Sequence, residues 1–201
     1  MRICFLGSGA AEGSPAISCH CEHCDIARRK GGVLERKRGA VLFDLPDYKL
    51  LVDAPPDIRE LLNSNGIKEI SGIFLTHEHF DHVGGLKEFL YWNKQIDFFA
   101  EPEVFRRVAG KMLRQELNQV AFHFAFHPGV DIIFQDFSFT PFEVRHTVPC
   151  YGLIIYENSH RVVYAADTSN RLSNYSLTLI RDADVLILNT PFSQKRWIIH
   201  I

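Results

Sequence analysis

Residues 76–82 read THEHFDH: three histidines, one aspartate and one glutamate in seven positions. Apolar Ile73, Phe74 and Leu75 run ahead of this stretch, and Gly84 and Gly85 follow it. The pattern is that of a buried strand that delivers polar side chains into a loop at its C-terminal end. Functional groups of α/β sheets commonly sit at such ends. Imidazole and carboxylate donors suit zinc, manganese or iron(II). His77 and His79, two apart, can reach one metal, and Asp81 and His82 can then face a second. The plainer alternative is a polar surface loop, but four ligand-type residues in six positions after a buried strand weigh against it.

Outward from the motif, strands and helices mix. RICFLG (2–7) reads as a short buried strand, and residues 8–24 as a long loop rich in Gly, Ser, Pro and Cys. Residues 39–45 and 48–54 form a hairpin pair around Pro46-Asp47. Residues 55–66 open on proline and close on glycine, a helix signature, with Ile58, Leu61 and Leu62 as its apolar face. Residues 84–93 turn helical, and 101–118 form the longest helix, with Val104, Val108 and Met112 on one stripe. The second half is rich in strands (130–135, 137–146, 151–158, 161–167), followed by a helix over 173–183 and a buried strand over 184–190. These elements predict one layered α/β domain over residues 1–201, with sheets packed between helices.

Composition narrows the function. The chain has 201 residues, enough for a substantial core, and its 46% hydrophobic and 23% charged residues are ordinary for a soluble globular protein. A formal net charge of −2 argues against a general nucleic-acid binder. One stretch departs from this: Arg28, Arg29, Lys30, Arg36, Lys37 and Arg38 stand against a single Glu35. It reads as a solvated basic face, with a phosphate-attracting patch as the sharper alternative. No apolar run approaches the 18 or so residues of a membrane span, and the apolar stretch before Gly7 is too short for a secretory leader. A cytoplasmic location without membrane contact is expected. Of five cysteines, Cys19, Cys21 and Cys24 cluster, which favours metal over a disulfide framework. Three thiolates form part of a tetrahedral zinc site that needs a fourth ligand, for which His23 is a local candidate. Cys4 and Cys150 read as small apolar residues, and His123 and His127 as structural or pocket-lining. GSGAAEG (7–13) mimics a dinucleotide fingerprint but runs into Ser14-Pro15 and the cysteine loop rather than a helix.

His-x-His-x-Asp-His is the signature of the metallo-β-lactamase superfamily of hydrolases, which this chain closely resembles. FLGSGAAEGSPAISCHCEHC (5–24) and LLVDAPPDIRELL (50–62) resemble one branch, the phosphodiesterases related to the phosphonate-degradation (carbon–phosphorus lyase) pathway enzyme. The resemblance implies an αββα four-layer sandwich. It also implies a third histidine on a later strand, matched by His146 in FEVRHTVPCYG, and a bridging aspartate, matched by Asp167 in VVYAADTS. His77, His79 and His146 would then hold one divalent zinc or manganese, Asp81 and His82 the second, and Asp167 would bridge. Such a pair supplies a hydroxide at neutral pH, and Asp81 counts as both ligand and catalytic residue. Cys19, Cys21 and Cys24 would hold a structural zinc. The family's last metal ligand, a histidine in a later strand, has no match before Ile201, so the fold is expected to lack its last strands and helix. His200, in RWIIHI, matches instead a histidine that this branch carries before a helix, implied as a general acid for the leaving oxygen.

The expected substrate is a small or cyclic phosphate ester. A nuclease using the 28–38 basic stretch is the alternative, and a catalytically impaired metal-binding remnant is the non-enzymatic one. Sheet edges left open by missing elements would invite homodimerisation.

Overall fold

Continuous apolar sequence on both faces makes strands that must be covered on both sides, and the middle of the first sheet is built from these. In the computed structural model, which describes residues 1–92, 94–112, 114–169 and 172–188, β1 (Arg2–Gly7), β2 (Ala40–Leu45) and β3 (Tyr48–Val52) pair antiparallel. The β2–β3 hairpin turns through Asp47 at φ 50°. Beyond β3, the strands β4 (Gly72–Phe74), β5 (Ile96–Ala100) and β6 (Ala121–Ala125) add in parallel, giving the order β1-β2-β3-β4-β5-β6. The second sheet runs β11-β10-β9-β8-β7, from β7 (Ile132–Ile133), β8 (Phe137–Val144), β9 (Cys150–Glu157), β10 (His160–Ala165) and β11 (Val185–Leu188). Its neighbours are antiparallel except the parallel β10–β11 pair.

Strand alternation sorts the second sheet's side chains into two layers. Phe139, Leu153, Ile155, Val162 and Tyr164 face the first sheet and join its core. Phe142, Ile154 and Val163 face the other way and pack with Leu179 and Ile180 of the helix α6 (Asn174–Ile180). Between the sheets the contacts are aromatic. Phe139 meets Phe99 edge-on at 5.0 Å and Phe74 at 6.1 Å, and Phe74 stacks on Phe126 at 5.0 Å. Buried residues of α2 (Ile58–Ser64), α4 (Pro102–Lys111) and α5 (Arg114–Val120) join the same core on the first sheet's side. The result is the expected αββα layering, with mixed sheets.

Local readings differ at four places. The cysteine loop ends early, because Glu22–Lys30 forms a helix, α1, with acidic residues in its first turn, basic ones in its last and Gly31 at its C-cap. Residues Leu86–Tyr91 form a 3-10 helix rather than an α-helix. The expected long helix over 101–118 is two helices, with Met112 extended (φ −106°, ψ 147°) and buried at the end of α4. Strands β5 and β6 carry no separate signal in the sequence. Each is five residues long and abuts helical sequence, where a short apolar run is ambiguous. Among the described residues no helix is long and apolar enough to cross a membrane.

Candidate metal centre

The motif leaves the sheet at the C-terminal end of β4, and a short helix, α3 (Phe80–Val83), turns it back. Two backbone hydrogen bonds tie this turn to the end of β3: Ala54 N–H donates to His82 O (2.8 Å) and Gly85 N–H to Ala54 O (2.9 Å). A Cβ at Gly85 would sit 2.1 Å from Pro55 O, so the approach requires glycine there.

The structure brings the six residues of the expected two-metal centre together. His77 Nε2 lies 2.9 Å from His79 Nδ1, which lies 3.1 Å from His146 Nε2. His82 Nε2 lies 2.7 Å from Asp167 Oδ2 and 3.3 Å from Asp81 Oδ2. The two clusters abut, with His77 Nε2 3.6 Å from Asp167 Oδ2. Donor atoms of His77, His79 and His146 fall within 4.8 Å of one another, as do those of His77, His82 and Asp167. His79 Nδ1 faces two imidazole nitrogens at once, and a single proton can satisfy only one such contact. A cation among the three satisfies all of them, since donors on a tetrahedral zinc sit ~3.3 Å apart. The donor set therefore fits divalent metal.

Behind these side chains stands Asp53, fully buried at the end of β3. Its carboxylate accepts from Thr76 N–H (2.9 Å) and from the Thr76 hydroxyl, and His82 Nδ1 lies 2.6 Å from its Oδ2. A carboxylate only accepts, so His82 carries its proton on Nδ1 and points Nε2 at the centre. Thr76 Oγ1, having donated to Asp53, accepts from His77 Nδ1 (2.9 Å), which likewise leaves His77 Nε2 for the centre. Asp53 and Asp167 both adopt left-handed backbone, at φ 64° and φ 50°. Such conformations cost about 1–3 kcal/mol each and concentrate at functional sites. Nothing in the spacing of the sequence marks Asp53 or Thr76 as partners. The signal was an acid closing an apolar run, at LLVD (50–53) as at VVYAAD (162–167).

Electrostatics separate the histidines. Burial pushes His77 down to about 2, with the neighbouring His82 adding to the effect, so its imidazole is neutral and ready to ligate. Burial also lowers His146. His82 is buried too, but the carboxylates of Asp53, Asp167 and Asp81 outweigh burial and hold its metal-free ring protonated well above the usual range. Asp81 is depressed: burial would raise it, and His82 beside it prevails.

Cys19, Cys21 and Cys24 also converge, with Cys19 Sγ 3.4 Å from Cys21 Sγ. Among the described residues no fourth donor joins them, and His23 points instead to Ser14 Oγ at 3.0 Å. Arg28 braces this loop by donating to Ala16 O (2.6 Å) and Cys19 O (2.5 Å). Of the basic stretch, Lys37 pairs with Glu60 (3.1 Å) and Arg38 with Asp57 (2.8 Å). Three of its six cations are thus engaged in contacts within the chain. His123 stacks on Phe105 at 3.7 Å and donates to Ala100 O, and His127 is exposed and joins neither cluster. Cys150 is buried under α6 and Cys4 is packed against the main core. His200 lies outside the described residues.

A family model described as a Beta-lactamase superfamily domain matches residues 48–201. The chain belongs to the metallo-β-lactamase superfamily. Among solved structures, zinc-bound PqqB from Methylobacterium extorquens superposes on this superfamily member with a TM-score of 0.83. It is 21% identical, over 94% of this chain and 72% of that one. A diphosphatase from the PhnP family gives a TM-score of 0.78 at 25% identity, over 92% and 72%. A probable metallo-hydrolase, YhfI of Bacillus subtilis (strain 168), is 28% identical over 75% of this chain. The chain spans 23% and 64% of the length of two curated relatives it matches.

Proposed function

We propose that this chain is a metal-dependent hydrolase that cleaves a phosphodiester bond in a small or cyclic phosphate ester. The observation that carries the reading is the pair of abutting donor clusters, His77/His79/His146 and His82/Asp81/Asp167. In this reading His77, His79 and His146 would hold one divalent cation and Asp81 and His82 the other, with Asp167 available to both. Two such cations, zinc or manganese, would supply Lewis acidity and acidify a water toward ionisation near neutral pH. The protein's part is orientation: Asp53 and Thr76 fix the ring tautomers, and the buried sides of His77 and His82 keep water away from their donor atoms. Cys19, Cys21 and Cys24 hold a structural zinc in a loop braced by Arg28. The cysteine loop and the likeness to a PhnP-family diphosphatase favour phosphate esters over the thioester and lactam substrates that the same ligands could serve. His200 remains the candidate to protonate the leaving oxygen.

The test is turnover of a chromogenic phosphodiester by chain loaded with manganese or zinc, against a His77→Ala control. Activity is expected to fall to background in the control, and equal rates in the two proteins would refute the proposal. Strongly salt-sensitive binding to DNA or RNA would favour the nuclease reading instead. The engagement of Arg28, Lys37 and Arg38 in internal contacts speaks against that outcome. Metal content near three ions per chain supports a two-metal centre plus the cysteine site, whereas one or none would indicate a remnant.

A further inference from the structure

Glu78 sits between two candidate ligands, His77 and His79, yet its carboxylate is turned to a different partner. It is 8% exposed, and both oxygens are taken by cations of α4. Arg107 Nη1 donates to Oε1 at 2.9 Å, and Lys111 Nζ lies 2.7 Å from Oε2. Lys111 Nζ also donates to the backbone oxygen of Glu78 at 3.0 Å, so the clamp grips main chain as well as side chain.

The helix that supplies these cations is well anchored. Glu101 caps its first turn by accepting from Glu103 N–H (2.7 Å) and Val104 N–H (3.2 Å), and Pro102 opens it. Val104 and Val108 are fully buried. Arg107 and Lys111, one turn apart, stand on a common face. Glu103 Oε1 accepts from Arg107 Nε at 2.8 Å and fixes that guanidinium in turn.

We propose that Arg107 and Lys111 are positioning residues for the metal centre, which hold the 77–79 backbone in register and keep the Glu78 carboxylate out of the ligand cluster. This inference rests on the reading of His77 and His79 as metal ligands. Its physical basis is twofold. A carboxylate flanked by two ligands is itself a competent donor for a divalent cation, and a nearly buried carboxylate must have partners somewhere. The α4 cations satisfy it on the far side, so His77 and His79 present imidazole alone.

The test separates positioning from simple charge neutralisation. Manganese is the probe, because it prefers imidazole and carboxylate to the thiolates of the cysteine cluster. Its affinity is measured by calorimetry, and the melting temperature of the metal-free protein is recorded alongside. The variant Arg107→Met/Lys111→Met is expected to bind manganese about 10- to 100-fold more weakly, the usual effect of removing outer support from a ligand. Its melting temperature also falls, because Glu78 is left unpaired. Adding Glu78→Met to that pair removes the unpaired charge and restores the melting temperature, while the affinity deficit persists because the loop is still unclamped. A triple variant that binds manganese as the parent does would overturn the inference and reduce the clamp to a buried ion pair. Should the double variant not fold, Lys111→Met is read the same way, since that side chain is 52% exposed. A parent protein that takes up no manganese overturns the reading of the centre itself, and the inference with it.

Discussion

Asp53 does at the level of one residue what the motif cannot do for itself. Its buried carboxylate accepts the Thr76 N–H and hydroxyl and the His82 Nδ1–H, so one side chain sets two ring orientations, the second through Thr76. Asp53→Ala should therefore cost about 1–3 kcal/mol of stability, from buried donors left unpaired, and weaken metal binding roughly 10- to 100-fold. Urea denaturation of the metal-free protein and calorimetric titration with manganese measure the two effects. Unchanged metal affinity in Asp53→Ala would show that the ligand rings are oriented without it. The six ligand candidates themselves were legible in sequence because four fall within six positions behind β4, and His146 and Asp167 each follow a strand. Asp53 shares that local signature, but its partner Thr76 lies on a non-adjacent segment, and only the parallel β3–β4 pairing brings the two strand ends together.

At the scale of elements, strand-like runs bounded by polar turns made β8, β9 and β10 readable, and the structure sorts the two faces of these strands into two cores. Phe139 on β8 is the test of this division. It is fully buried, and Phe74, Phe99 and Phe134 surround it. Phe139→Ala should destabilise the fold by about 3–5 kcal/mol, the range for large-to-small aromatic changes in a core. Tyr156 on the neighbouring β9 is partly exposed, and Tyr156→Ala should cost far less. Equal losses in the two variants by chemical denaturation would mean that the sheet-to-sheet face is not the main core. Strands β5 and β6 escaped the sequence reading for a related reason. Each is only five residues long, and β6 follows α5 directly, so no turn residue marks its start.

For the whole molecule, the centre is a point where distant parts of the chain meet. The motif follows β4 in the first sheet, whereas His146 follows β8 and Asp167 follows β10 in the second. A cation held by these groups is bound by the folded chain and not by the unfolded one, so occupancy must stabilise the fold by mass action. At a free concentration near a thousand times the dissociation constant the gain is about 4 kcal/mol. In a domain of this size each kcal/mol raises the melting temperature by about 2–4 °C, so the shift should be roughly 8–16 °C. Chelation followed by manganese add-back isolates this contribution from the cysteine cluster, whose thiolates bind manganese poorly. The same add-back to His146→Ala should recover only a small part of the shift, because the first cluster then loses its one imidazole from the second sheet. If that variant gained as much as the parent, His146 would not be a ligand, and any tie between the sheets through the cation would rest on Asp167.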